Sequence, residues 1–160
     1  MNSQLNKSLI ERFSRQIILK DIGTIGQKKI LASKVLIIGV GGLGSPVAEF
    51  LSRAGVGTIG IVDDDKVSLS NLHRQSLYTS SSIGKLKVKI AKEEIKKINN
   101  NIKVKTYKFR LNSKNLKKII SDYDYIVDGT DNFKTKFLLN DFCCLLHTSD
   151  AADDSLRVDL

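Results

Sequence analysis

Apolar and polar positions follow two different periods along this chain. Val35–Gly39 (VLIIG) and Thr58–Val62 (TIGIV) are short, β-branched, continuously apolar runs, the pattern of parallel strands buried on both faces. Ile102–Tyr107 alternates as a strand does, and Tyr125–Val127 is a short strand ending at Asp128. Helical spacing lies between them. Lys85–Ile98 sets Leu86, Ile90, Ile95 and Ile98 near one side. Pro46–Ala54 reads as a helix with Ser45 as N-cap, Pro46 as first helical residue and Gly55 as stop. Glu11–Gln16, Gly26–Ala32, Asn115–Ser121 and Asn132–Phe142 complete the helices. Strands alternating with helices predict an α/β fold: a mostly parallel sheet with helices on both faces, preceded by short N-terminal helices.

Composition adds bounds. A chain of 160 residues at 41% hydrophobic content can bury one core and is not disordered by composition. Its longest apolar runs are too short for a bilayer, and Met1–Ile10 lacks the apolar stretch of a secretory signal. No membrane association and a cytoplasmic location are therefore expected. The net charge of +9 is mostly lysine, spread from Lys7 to Lys136 without interleaved aromatics. That reads as a solvated surface, suited to steering an anionic ligand or an acidic protein, and not as a nucleic-acid interface. Cys143 and Cys144 are the two cysteines, and their adjacency excludes a disulfide framework or a CxxC metal site within this chain.

The composition changes abruptly at Cys144. The remainder, CLLHTSDAADDSLRVDL, holds four of the seventeen acidic residues and no lysine, and it looks like translated sequencing-adapter read-through. The expected organisation is one domain over residues 1–143, with the C-terminal part of the fold missing, and a non-native or read-through tail over 144–160. A genuine acidic terminus is the alternative.

Gly39-Val40-Gly41-Gly42-Leu43-Gly44 follows a strand and opens a helix, the context in which GxGxxG is informative. Glycines let backbone approach a phosphate, and the helix start supplies unpaired N–H groups and the positive end of a dipole. Nineteen residues after Gly44, Asp63 ends the second strand, where a carboxylate can accept ribose hydroxyls. Together these features suggest a Rossmann-like nucleotide site, and alone they leave a nicotinamide cofactor open. A tight turn without a ligand is the plainer reading.

Four further clusters decide the matter: Arg12-Phe13-Ser14-Arg15-Gln16; Asp63 through Gln75 (DDDKVSLSNLHRQ); Gly84 followed by Lys87; and Asp128-Gly129-Thr130-Asp131-Asn132. Taken in this order, from about Glu11 to Cys143, the chain resembles the ThiF/MoeB/HesA family of adenylyltransferases, relatives of the ubiquitin-activating enzymes. The resemblance implies binding of ATP with Mg²⁺ and of a ubiquitin-like sulfur-carrier protein ending in Gly-Gly. AMP is joined to that protein's terminal carboxylate and pyrophosphate is released, for thiamine or molybdopterin synthesis. It also implies residue roles. Gly39, Gly41, Gly42 and Gly44 form the loop against the nucleotide, and Asp63 holds the ribose. Asn71, Arg74 and Lys87 hold phosphates, with Ser70, Leu72 and His73 lining the same segment. Asp131 binds or orients Mg²⁺, and Asn132 lies beside the nucleotide. Arg15 reaches into the other subunit of a homodimer, so that Arg15, Arg74, Lys87 and Asp131 form the catalytic set.

Plainer readings stand beside these roles. Arg12 and Arg15, three apart, could pair with surface acids. Lys87 sits in a lysine-rich helix where Lys85, Lys89 and Lys92 are expected in solvent. Asp131 could merely cap the next helix. Asp64 is expected to be exposed and Cys143 to be a small buried hydrophobe. The family's second half, with its carrier surface and frequent zinc motifs, is not in this sequence; zinc is expected only in a longer parent, and the chain alone is expected to adenylylate poorly. The rivals are an NAD-dependent oxidoreductase and a non-catalytic nucleotide-binding module.

Overall fold

The structure, a computed structural model, describes residues 5–147, with side chains through 143. Four strands, β1 (Lys34–Ile38), β2 (Thr58–Val62), β3 (Lys103–Tyr107) and β4 (Tyr125–Asp128), form one sheet in the order β3-β2-β1-β4. Every pairing is parallel, with Ile37 opposite Ile61 on one side and Val127 on the other. Among the described residues, seven α-helices accompany it: α1 (Lys7–Arg12), α2 (Ser14–Ile17), α3 (Gly23–Ala32), α4 (Gly44–Ala54), α5 (Lys87–Ile98), α6 (Ser113–Ile119) and α7 (Phe133–His147).

The continuous apolar runs have the predicted consequence. Val35 and Ile37 of β1 enter one core with Ala48 of α4 and Ile90, Ala91 and Ile95 of α5. Leu36 and Ile38 enter a second core with Leu116 of α6 and Leu139 of α7. Successive side chains of a strand leave opposite faces, so a strand buried on both faces is apolar throughout. The chain winds outward from β1 in both directions. The sheet therefore has a switch point between β1 and β4, and ligands of such folds bind beyond the strand ends there.

Three expectations need correction. The helix over Glu11–Gln16 is broken at Phe13, which is 1% exposed and separates α1 from α2. Its ring packs on Gly55, where an added Cβ would sit 2.4 Å from Phe13 Cζ; burying that ring outweighs one continuous helical turn. Arg12 then donates to the Ile98 carbonyl at the end of α5 instead of meeting a surface acid. Second, α5 begins at Lys87, not Lys85. Leu86 is extended and bridges Lys66, and Val67 N–H donates to the Lys85 carbonyl. Third, Ser45 is not an N-cap. Helix α4 starts at Gly44, and Ser45 Oγ turns back to donate to the Val40 carbonyl at 2.9 Å.

Gly55 does end α4, in a left-handed conformation with φ 91°. The expected boundary at residues 143 and 144 falls inside α7; most of the expected tail, 148–160, lies outside the described residues. Cys143 is half-buried against the second core. No helix among the described residues is long and apolar enough to cross a membrane.

The Phe13 contact ties the N-terminal helices to the sheet unit. Phe13→Ala should cost about 3–5 kcal/mol, read as a lowered midpoint in chemical denaturation with an unchanged slope.

Candidate functional site

A cleft of about 670 Å³ opens at the C-terminal ends of the strands, over the switch point. Its floor is made where the loops after β1 and β4 touch. Gly39 has φ 81°, and Gly129 N–H donates to the Ile38 carbonyl at 2.8 Å. A Cβ on Gly44 would meet the Gly39 carbonyl oxygen at 1.9 Å, and one on Gly129 would meet it at 2.6 Å. Backbone here rests on backbone, which only glycine permits. Gly44 thus lies buried beneath the loop, and Gly39, Gly41 and Gly42 line the cleft.

The loop's upper side is left open. Among the described residues, the N–H groups of Gly41, Gly42 and Leu43 have no protein acceptor, although all three line the cleft. They stand at the start of α4, where the helix dipole adds positive potential. A Cβ at Gly41 would come no nearer than 3.7 Å to the Gln75 amide, and one at Gly42 3.4 Å to Arg74. The space above these two residues is bounded by a carboxamide and a guanidinium, a cradle of donors for an anion.

Around the cradle the side chains fall into two sets. Asp63 ends β2. Its two oxygens accept Val40 N–H and Asp65 N–H, both at 2.9 Å, and it still borders the cleft. Burial pushes its carboxyl above the ordinary aspartate range, against the two backbone donors that pull it down. Lys87 is 6% exposed, whereas Lys85, Lys89 and Lys92 are in solvent. Its ammonium pairs with Asp65 at 2.9 Å. A cation in the first turn of a helix opposes the dipole, so its position calls for anions nearby, and Asp65 supplies one. Asp64 is exposed, as expected, and also borders the cleft.

The second set comes from the single-turn helix Leu69–Asn71 and the loop after β4. Asn71 Oδ1 accepts Ser68 N–H at 3.1 Å, which leaves its amide NH₂ group for the cleft. Arg74 donates to the Ser70 carbonyl at 3.0 Å and lies 3.3 Å from His73 Nε2. Ser70, Leu72 and His73 do not line the cleft; Ser70 acts on it through Arg74. Asn132, not Asp131, caps α7 by accepting Thr135 N–H at 2.9 Å. Asp131 is left exposed at the cleft wall. Arg15 is exposed and lies outside the cleft of its own chain.

Some lining residues were not among those expected. Gln75 is 3% exposed, and its Oε1 has no partner among the described residues; its place beside Arg74 in the SNLHRQ run was the available signal. Thr130 is legible within the Asp128–Asn132 run, but Phe109, Arg110 and Leu111, beyond β3, and Thr135 carry no motif of their own. They reach the site only because the parallel sheet gathers the strand ends.

The fold and site define a doubly wound α/β domain with an anion cradle at its switch point. Residues 13–149 match the ThiF family, and the chain belongs to that family. It is 45% identical over 157 residues to the adenylyltransferase and sulfurtransferase MOCS3 of Culex quinquefasciatus, covering 98% of this chain and 36% of that protein. It is 42% identical over 140 residues to the sulfur carrier protein adenylyltransferase of Thermus thermophilus, covering 88% and 52%. Escherichia coli tRNA N6-threonylcarbamoyladenosine dehydratase, TcdA, solved in complex with AMP, superposes with a TM-score of 0.79 at 25% identity, covering 89% and 58%. The chain thus spans about a third to a half of the length of the two sequence relatives.

Two measurements check the site's electrostatics. The folded chain holds the Asp63 proton more tightly than the unfolded chain does. This group's effect on stability is therefore nil below the unfolded-state pKa, about 3.9. It becomes unfavourable as pH rises through the folded value. A carboxyl ¹³C titration should place the Asp63 midpoint above about 3.9. Asp65→Ala should cost about 1–3 kcal/mol in denaturation by leaving the buried Lys87 ammonium without its partner.

Proposed function

We propose that this chain binds ATP with Mg²⁺ and forms the nucleotide-binding part of an adenylyltransferase. The substrate is the C-terminal glycine carboxylate of a ubiquitin-like sulfur-carrier protein, in thiamine or molybdopterin synthesis. The observation that carries this reading is the run of three acceptor-free N–H groups at Gly41, Gly42 and Leu43, facing a cleft that also gathers Asn71, Arg74 and Lys87. Such a donor set suits a polyphosphate. The relative from Thermus is named as a sulfur carrier protein adenylyltransferase, and TcdA was solved with AMP bound.

The residue types suit the chemistry. A carboxylate must attack an α-phosphate, so two anions approach each other. Arg74 and Lys87 offset that charge, and Asn71 and the loop N–H groups orient the phosphates. The attacking carboxylate is already ionised at neutral pH, so no general base is required and His73 needs no proton-transfer role. Asp63, fixed by Val40 and Asp65, presents its remaining lone pairs to the ribose. Asp131 is a free-standing carboxylate on the cleft wall, which suits a hard cation. Mg²⁺ held there would neutralise phosphate charge. Arg15 acts across a homodimer, which accounts for its place outside its own cleft. The whole assembly works in the cytoplasm.

Titration of the chain with ATP·Mg²⁺ and with NAD separates this reading from an oxidoreductase: ATP should bind, and NAD binding without ATP binding would sink it. In carrier-dependent ATP–pyrophosphate exchange by the complete enzyme, Arg74→Ala and Asp131→Ala should each lower the rate about 10²-fold or more. Their denaturation midpoints should stay unchanged. Full activity in both variants would overturn the residue roles.

A further inference from the structure

The Val40 carbonyl receives two side-chain hydroxyls. Ser45 Oγ and Tyr78 Oη each donate to it at 2.9 Å, and both residues are buried. They come from separate segments, since Ser45 is in the first turn of α4 and Tyr78 lies 38 residues beyond Val40. On the other side of the same residue, Val40 N–H donates to Asp63. Val40 is the one residue in the glycine loop whose backbone is tied to side chains at both its N–H and its carbonyl among the described residues.

Peptide geometry gives this arrangement a consequence. In a trans peptide the carbonyl and the following N–H lie in one rigid plane and point in opposite directions within it. With the Val40 carbonyl held inward, the Gly41 N–H is turned outward, toward the cleft that Gly41 lines. Glycine at position 41 lowers the barrier to the opposite orientation, in which the carbonyl oxygen would face the cleft and repel an anion. We infer that Ser45 and Tyr78 are positioning residues that lock the Val40–Gly41 peptide in its anion-accepting orientation. Tyr78 suits this use. Its ring packs in the core, and burial together with the nearby Asp63 carboxylate keeps its phenol protonated far above neutral pH, so it remains a donor. Two donors on one acceptor also make the lock redundant. Either alone satisfies the buried carbonyl, and losing both leaves it unsatisfied.

The inference rests on the anion-binding reading of the cleft, and its test is arranged to stand apart from it. Tyr78→Phe, Ser45→Ala and the double variant are compared with the parent chain by ¹⁵N relaxation dispersion at Gly41 and by hydrogen exchange at Val40, both without nucleotide. ATP·Mg²⁺ titration follows. The double variant should show microsecond-to-millisecond exchange at Gly41, faster Val40 N–H exchange, and about tenfold weaker ATP binding. Each single variant should weaken ATP binding less than about threefold, so that the two losses are non-additive. Unchanged Gly41 and Val40 behaviour in the double variant overturns the lock. If the double variant does not fold, the two single variants decide the matter: relaxation dispersion at Gly41 above the parent's in either one supports the lock, and dispersion equal to the parent's in both overturns it. If the parent chain fails to bind ATP, the nucleotide reading falls, and the Gly41 and Val40 measurements still judge the lock.

Discussion

Backbone contact between Gly39, Gly44 and Gly129 joins the loops that follow the two central strands. These strands diverge in connectivity, since β1 leads into α4 on one face and β4 into α7 on the other. Their loops can share one cleft only if they approach to backbone distance; a methyl group at Gly129 would hold them apart, and one at Gly44 would strike the Gly39 carbonyl of its own loop. The contact puts the start of α4 against the loop after β4, so Gly41, Gly42 and Leu43, with their open N–H groups, and Asp131 line the same cleft.

Charge is then arranged around that space by pairs that each do two things. Asp65 N–H donates to Asp63, its carbonyl accepts Lys87 N–H and its carboxylate accepts Lys87 Nζ. One residue therefore sets the spacing between a carboxylate suited to a sugar and a cation suited to a phosphate. The pair also explains how an ammonium can sit nearly buried in the first turn of a helix, where both burial and the dipole oppose it. Asn71 and Arg74 are held by their own turn, through Ser68 and Ser70, before any ligand arrives. Such prior ordering lowers the entropic cost of binding.

The places where local pattern and structure part company have a common cause. Periodicity extended one helix through Phe13 and another back to Lys85. In both cases a partner distant in sequence won: Gly55 under the Phe13 ring, and Lys66 and Val67 beside Lys85 and Leu86. The Ser45 hydroxyl is read from sequence as a cap because caps are local, and it is drawn instead to a buried carbonyl that would otherwise rely on Tyr78 alone. Gln75 is legible only as the neighbour of Arg74. Phe109, Arg110, Leu111 and Thr135 are not legible at all, because no spacing along the chain records that β3 ends at the same cleft as β1 and β4.

The sequence by itself determined the alternation of strands and helices, the double burial of β1 and β2, the glycine loop at a strand-to-helix junction and the family. Each of these is written in short-range pattern or in motif order, and short-range pattern directly controls backbone preference and burial. Only the tertiary structure decided which lysine of a lysine-rich helix is buried against Asp65, and which of two adjacent cleft-lining residues, Asp131 and Asn132, caps α7. It also decided how a nearby and a distant hydroxyl, those of Ser45 and Tyr78, converge on the Val40 carbonyl. Those outcomes depend on distances between elements, and such distances exist only once the parallel sheet has brought the ends of its strands together.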